Sequence, residues 1–147
     1  MFNVSFRAAA LTGAAMLAAV SAAPTAATAG VTVRIDISAQ RANVYVNGAR
    51  RHSWRISSGR RGYYTPRGSY RPTRMHRMWY SRKYNMSPMP HSIFFRGGYA
   101  IHGTYAVRKL GRPASHGCIR LAPSAARRLF GLVRRYGARR TRIVITN

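Results

Sequence analysis

One carboxylate side chain, Asp36, stands against 26 lysines and arginines in a chain of 147 residues. Only Lys83 and Lys109 are lysines, so the formal net charge of +25 is carried mainly by arginine. This imbalance excludes much chemistry. Two-carboxylate glycoside hydrolysis needs a pair of acids. Carboxylate-based Mg²⁺ or Ca²⁺ sites need several. A Ser-His-Asp triad could use only Asp36. Charge repulsion of this size can leave a chain disordered, but 46% of the residues are hydrophobic and 11% aromatic. They are spread in short patterned runs, so the chain can bury a core. The length suits one domain.

The N-terminus reads as an export signal. A short stretch carrying Arg7 precedes an uninterrupted apolar run, Ala8 to Val20, and then Ala27-Thr28-Ala29. These are the n-region, h-region and A-x-A site of a secretory leader. The run is shorter than the roughly 20 residues a spanning helix needs. Cleavage is expected after Ala29, which makes residues 1–29 the signal and 30–147 the mature domain. No later stretch is apolar enough to span a bilayer. The product is expected to be exported, to the periplasm or cell wall, with anionic partners such as the cell-envelope surface. Cys118 is then a lone thiol in an oxidising compartment, which reads as a reactive group rather than half of a disulfide.

Hydrophobic periodicity predicts a mainly β domain with one packed helix. Val31, Val33, Ile35 and Ile37 alternate with polar residues, as in a half-buried strand. Val44 to Val46 is a second strand, Asn47-Gly48 a hairpin turn, and Trp54 and Ile56 mark the return strand. Residues 57–92 read as loops and short strands, with Thr65-Pro66-Arg67-Gly68 and Ser87-Pro88-Met89-Pro90 as breakers. Gly97-Gly98 joins two further strands, and His102 falls at the end of the second. Gly111 to Gly117 reads as a loop. From Pro123 to Tyr136, Ala126, Leu129, Phe130 and Val133 share one helical face, and arginines share the other. Thr141 to Thr146 is a last strand.

Two stretches carry chemistry: Ile101-His102-Gly103-Thr104, and Ser115-His116-Gly117-Cys118-Ile119-Arg120-Leu121. A thiol becomes a nucleophile through a base, usually imidazole. With no acid to orient that base except Asp36, a backbone carbonyl must hold its far ring nitrogen. Gly117 permits a tight turn, and the N–H groups of Gly117 and Cys118 could converge on one oxygen. An imidazolium beside Cys118 is expected to lower the thiol pKa, with His102 preferred over His116 as the base.

The motif SHGCIRL, with His-Gly sixteen residues before the cysteine, resembles the active-site signature of the YkuD-type L,D-transpeptidases. The resemblance extends to Ile35-Asp36-Ile37-Ser38-x-Gln40, to Thr65-Pro66-x-Gly68-x-Tyr70 and to Met89-Pro90 leading into Phe94-Phe95. It covers residues 31–146. It implies a β-sandwich or barrel-like catalytic fold. It also implies Cys118 as nucleophile, His102 as general acid and base, the Gly103 carbonyl as its orienter, and Gly117 as an oxyanion donor. Ser115, His116, Arg120 and His91 are the implied substrate-binding residues, with His91 standing where the family commonly has an aromatic. Arg120 is a candidate to hold a substrate carboxylate. The substrate implied is a peptidoglycan stem peptide, joined through a thioester into a 3→3 cross-link, with no metal or organic cofactor. An L,D-carboxypeptidase, in which water takes the thioester, shares the motif.

Other readings carry less. His102, His116 and Cys118 could in principle ligate zinc, but no CxxC or HExxH accompanies them. The Tyr/Arg pattern of residues 60–84 suits nucleic-acid stacking. No RNA-binding motif is present, however, and export removes most nucleic acid, so none is expected as partner. A non-catalytic cationic wall-binding module leaves the Cys/His pair unexplained. Papain-like amidases place Cys before His, and sortases use a far longer gap. His52, His76 and His91 read as surface or rim groups.

Overall fold

The computed structural model describes residues 29–147. The expected signal, apart from its last residue, lies outside the described residues. Nine strands form two sheets around one long helix: β1 (Val31–Asp36), β2 (Arg41–Val46), β3 (Ala49–Arg55), β4 (Gly68–Tyr70), β5 (Arg74–Ser81), β6 (Ser87–Arg96), β7 (Tyr99–Gly103), β8 (Ile119–Leu121), α1 (Pro123–Tyr136) and β9 (Thr141–Thr146). One sheet has the order β3-β2-β1-β9-β4, the other β5-β6-β7-β8. The fold is mainly β with one packed helix, as the periodicity predicts. No helix of the described residues is long and apolar enough to cross a membrane.

The alternation in β1 buries Val31, Val33 and Ile35, and its parallel neighbour β9 adds Ile143 and Ile145 to the same core. Asn47 and Gly48, both with positive φ, turn β2 into β3. This is the geometry a two-residue hairpin of that twist requires. Pro123 opens α1 at a position where its missing N–H costs nothing. Gly137 closes it, donating its N–H to the Val133 carbonyl, 2.8 Å away. The apolar stripe of Ala126, Leu129, Phe130 and Val133 packs into the core shared with both sheets. Asp36 accepts from the Ser38 hydroxyl at 2.7 Å and the Ala39 N–H at 2.8 Å, capping the turn after β1.

The middle segment is more regular than its sequence reads. β5 runs eight residues and β6 ten, paired antiparallel into a long hairpin that contains both prolines expected to break it. At Pro88 and Pro90, β6 pairs with β5 but not with β7, which joins only from Ile93 onward. Residues two apart direct their backbone N to the same side. Both prolines can therefore turn the missing donor to the open edge. The sequence masks β5 because its exposed residues, Arg74, Arg77, Met78 and Tyr80, do not alternate strictly with the half-buried ones.

Candidate active site

The parallel pair β7–β8 builds the site. Ile101 lies opposite Ile119 and His102 opposite Arg120. Side chains alternate across a sheet. Ile101, Ile119 and Leu121 therefore enter the main core with α1. The opposite face carries Phe94, His102, Cys118 and Arg120, which line one cavity of about 610 Å³. Cys118 is the residue just before β8, half-buried beside Ala100. Its Sγ lies 3.8 Å from the Gly98 carbonyl oxygen.

His102 is buried, and its Nδ1 lies 2.7 Å from the Gly103 carbonyl oxygen. A carbonyl only accepts, so Nδ1 carries the proton and Nε2 is left as an acceptor. Burial pushes the His102 pKa down to about 4, a shift opposed by the Gly103 bond and reinforced by Arg120. Burial also raises the Cys118 thiol, although the Ala100 backbone and Arg120 act the other way. At neutral pH the resting pair is therefore imidazole and thiol, not imidazolium and thiolate. Both directions run against the expectation that an imidazolium lowers the thiol pKa.

A small network shapes the cysteine loop. The Ser115 hydroxyl donates to the Cys118 carbonyl at 2.6 Å and accepts from the Gly117 N–H at 3.0 Å. Thr65 donates to the Gly117 carbonyl at 2.9 Å and accepts from the Gly59 N–H at 2.9 Å. The Gly117 N–H is thus engaged inside the loop, which differs from its expected role as an oxyanion donor. Gly117 is required for another reason. Its φ is +117°, and a Cβ there would stand 2.6 Å from Tyr99 Cε1. Gly117→Ala should destabilise the fold by about 2–4 kcal/mol, from strain and overpacking together. Gly131→Ala, in α1 with nothing within 4 Å of the added methyl, should instead stabilise by about 0.5–1 kcal/mol. Urea unfolding of both variants checks this, and equal effects would refute the local explanation.

His116 stacks on Tyr84 at 4.0 Å and meets Tyr63 edge-on at 4.7 Å. Arg120 lines the cavity and donates to the Ala114 carbonyl at 3.3 Å. The structure does not bring His91 to the site. It packs against Phe130 of α1, ring centroids 5.3 Å apart, outside the cavity. His91 itself has a positive φ of 52° within β6. His76 is also no rim group: it is half-buried against Trp79 and Phe94, with Nε2 unpartnered. The β5–β6 hairpin supplies a cavity wall that sequence reasoning missed, including Arg74, Trp79, Tyr84 and Met89.

The L,D-transpeptidase catalytic domain model, YkuD, matches residues 30–145. The chain belongs to that family. Solved structures agree with the assignment. An L,D-transpeptidase from Xylanimonas cellulosilytica shares 28% identity and a TM-score of 0.67, over 80% of this chain and 61% of its own. One from Stackebrandtia nassauensis shares 25% identity and a TM-score of 0.71, over 82% and 57%. L,D-transpeptidase 3 from Mycobacterium tuberculosis, in complex with a faropenem-derived adduct, shares 20% identity and a TM-score of 0.68, over 80% and 60%. The chain thus spans less than two thirds of each neighbour's length. No curated protein matches it.

Proposed function

We propose that this L,D-transpeptidase-family domain is an exported enzyme that acylates Cys118 with a peptidoglycan stem and passes the acyl group to an amine, forming 3→3 cross-links. The observation that carries the reading is His102. Its Nδ1 proton is held by the Gly103 carbonyl, and it lies on the same cavity face as Cys118.

The chemistry follows from those positions. Sγ attacks the carbonyl between the L-centre of meso-diaminopimelate and the terminal D-alanine, while Nε2 of His102 takes the thiol proton. The tetrahedral oxyanion is assigned to the Cys118 N–H, because the Gly117 N–H is engaged with Ser115. The C–N bond breaks, and His102 returns its proton to the departing amine of D-alanine. The side-chain amine of a second stem attacks the thioester, loses a proton to His102, and the thiol re-forms with that proton. No step calls for a metal or organic cofactor.

Mature protein incubated with purified disaccharide-tetrapeptide should release D-alanine and yield a cross-linked dimer by mass spectrometry. Tripeptide alone would assign the L,D-carboxypeptidase reaction instead. Absence of both would remove the catalytic reading. Export is part of the same proposal, resting on the apolar run Ala8 to Val20 and on Ala27-Thr28-Ala29. Protein recovered from the envelope should begin at Gly30. An intact Met1 chain in the cytosol would refute it.

A further inference from the structure

The catalytic cavity is cationic and holds no internal counter-ion. Arg74, Arg82, Lys83 and Arg120 all line it, and no acid does. The chain's only carboxylate side chain, Asp36, is committed to the turn after β1. Elsewhere in proteins, lining cations are commonly paired with a neighbouring acid; here that pairing is unavailable by composition.

The cations are also arranged. Arg120 leaves β8 two residues after Cys118, on the same face of the sheet. Arg74 comes from β5, where its guanidinium lies 3.8 Å over the Phe94 ring and 5.5 Å from the Trp79 ring. Stacking of this kind holds a planar guanidinium in place and leaves its N–H edge free for an anion. One of those groups makes a long, 3.5 Å contact with the Gly97 carbonyl. Arg82 and Lys83 occupy the 3-10 turn that joins β5 to β6, both exposed. Trp79, Met89 and Phe94 give the cavity an apolar floor beneath these charges. Such a site fits a ligand with an aliphatic stem and several carboxylates.

We infer that, beyond the carboxylate the family resemblance already gives to Arg120, the enzyme selects its acyl donor by a second, distal free carboxylate, read by Arg74 with Arg82 and Lys83. This rests on the acyl-transfer reading above and narrows its substrate to the un-amidated acid form of the stem. A donor whose carboxylates are carboxamides offers these cations only a neutral acceptor oxygen and leaves their charge unpaired.

Two experiments separate this inference from the reading it rests on. The first uses no stem peptide. Cys118 is alkylated with anionic iodoacetate and with neutral iodoacetamide, and the rate ratio is compared with that of free cysteine. The ratio should rise several-fold in the protein, fall with added salt, and drop toward the free-cysteine value in Arg82→Gln/Lys83→Gln and in Arg74→Gln. It should be partly restored in Arg74→Lys and unchanged in Arg51→Gln, an exposed β3 residue that keeps the same total charge loss as Arg74→Gln. The second measures transfer from matched acid and carboxamide tetrapeptides. Arg82→Gln/Lys83→Gln should raise KM for the acid by about tenfold, with kcat nearly unchanged, and leave the carboxamide unaffected. A ratio equal to that of free cysteine, or one that falls as much in Arg51→Gln, overturns the inference, as do equal KM values for acid and carboxamide. If the alkylation ratio behaves as expected but no transfer product forms, the acyl-transfer reading fails and the anion-selective cavity stands.

Discussion

One covalent equivalent of a carbapenem or penem should add to the wild-type domain, and none to Cys118→Ala. The argument begins with uniqueness. Cys118 is the chain's single cysteine, it lines the cavity described above, and it shares that cavity with His102, whose Nδ1 is fixed by the Gly103 carbonyl. A β-lactam carbonyl is an activated amide. Attack by sulfur opens the ring, and the ring nitrogen keeps the leaving group attached, so the adduct persists for mass spectrometry. Carbapenems and penems present such a carbonyl, so either serves as a probe. The expected effect of Cys118→Ala is complete loss, because Cys118 is the only thiol of the chain and shares its cavity face with His102. Ser115 is buried, and its hydroxyl is already committed to Cys118 and Gly117. A full-stoichiometry adduct on Cys118→Ala would show that the nucleophile has been misassigned. Melting temperature should be compared in parallel, since removing one half-buried sulfur leaves the β7–β8 pairing and the core side of the sheet intact.

Much of this site is legible in the sequence because its elements are local. The alternation of β1, the Asn47-Gly48 and Gly97-Gly98 turns and the stripe of α1 each follow from the period of a few neighbouring residues. They suffice to place His102 at a strand end and Cys118 in a loop. The Gly103 carbonyl was also within reach, because it is adjacent to the histidine it orients. What stayed hidden depends on contacts distant in sequence. His91 sits in a motif that resembles the family's, yet its backbone takes a positive φ and its ring packs on Phe130 of α1. The β5–β6 hairpin is long because its residues pair with each other; its exposed arginines and tyrosines mask the period that would reveal it. Thr65 and Gln40 belong to motifs individually too weak to interpret. In the structure Thr65 clamps the Gly117 carbonyl, and the Gln40 side chain bridges Ile37 and Ser58, so each ties a neighbouring segment to the active-site region. The protonation directions of His102 and Cys118 run against the expectation for a related reason. Residue types indicate which groups can form an ion pair, whereas the depth of burial decides whether they do.

Substituting His102 should therefore affect catalysis and thiol ionisation differently. A pre-formed thiolate–imidazolium pair would give alkylation of wild type by iodoacetamide with a midpoint well below the ordinary thiol value of about 8.5, moving upward in His102→Ala. The neutral pair described here gives a wild-type midpoint at or above that value, because burial raises the Cys118 thiol. His102→Ala should leave this midpoint nearly in place. Acylation by a stem peptide, by contrast, needs Nε2 to take the thiol proton, and His102→Ala should slow it by about 10²–10⁴. The acid limb of wild-type acylation belongs near pH 4, where His102 becomes protonated, and not near 6.5. The same shift has a consequence for stability. The unfolded chain binds a proton at His102 near pH 6.5 and the folded chain only near 4. The contribution of neutral His102 is thus fully present above pH 6.5 and is lost as pH falls toward 4, by up to about 3 kcal/mol. His102→Gln, which has no titrating ring, should lack that loss. Urea denaturation at pH 7 and pH 4.5 for both proteins measures it. Parallel losses in wild type and His102→Gln, together with a low wild-type alkylation midpoint that rises in His102→Ala, would establish the ion pair and overturn the neutral one.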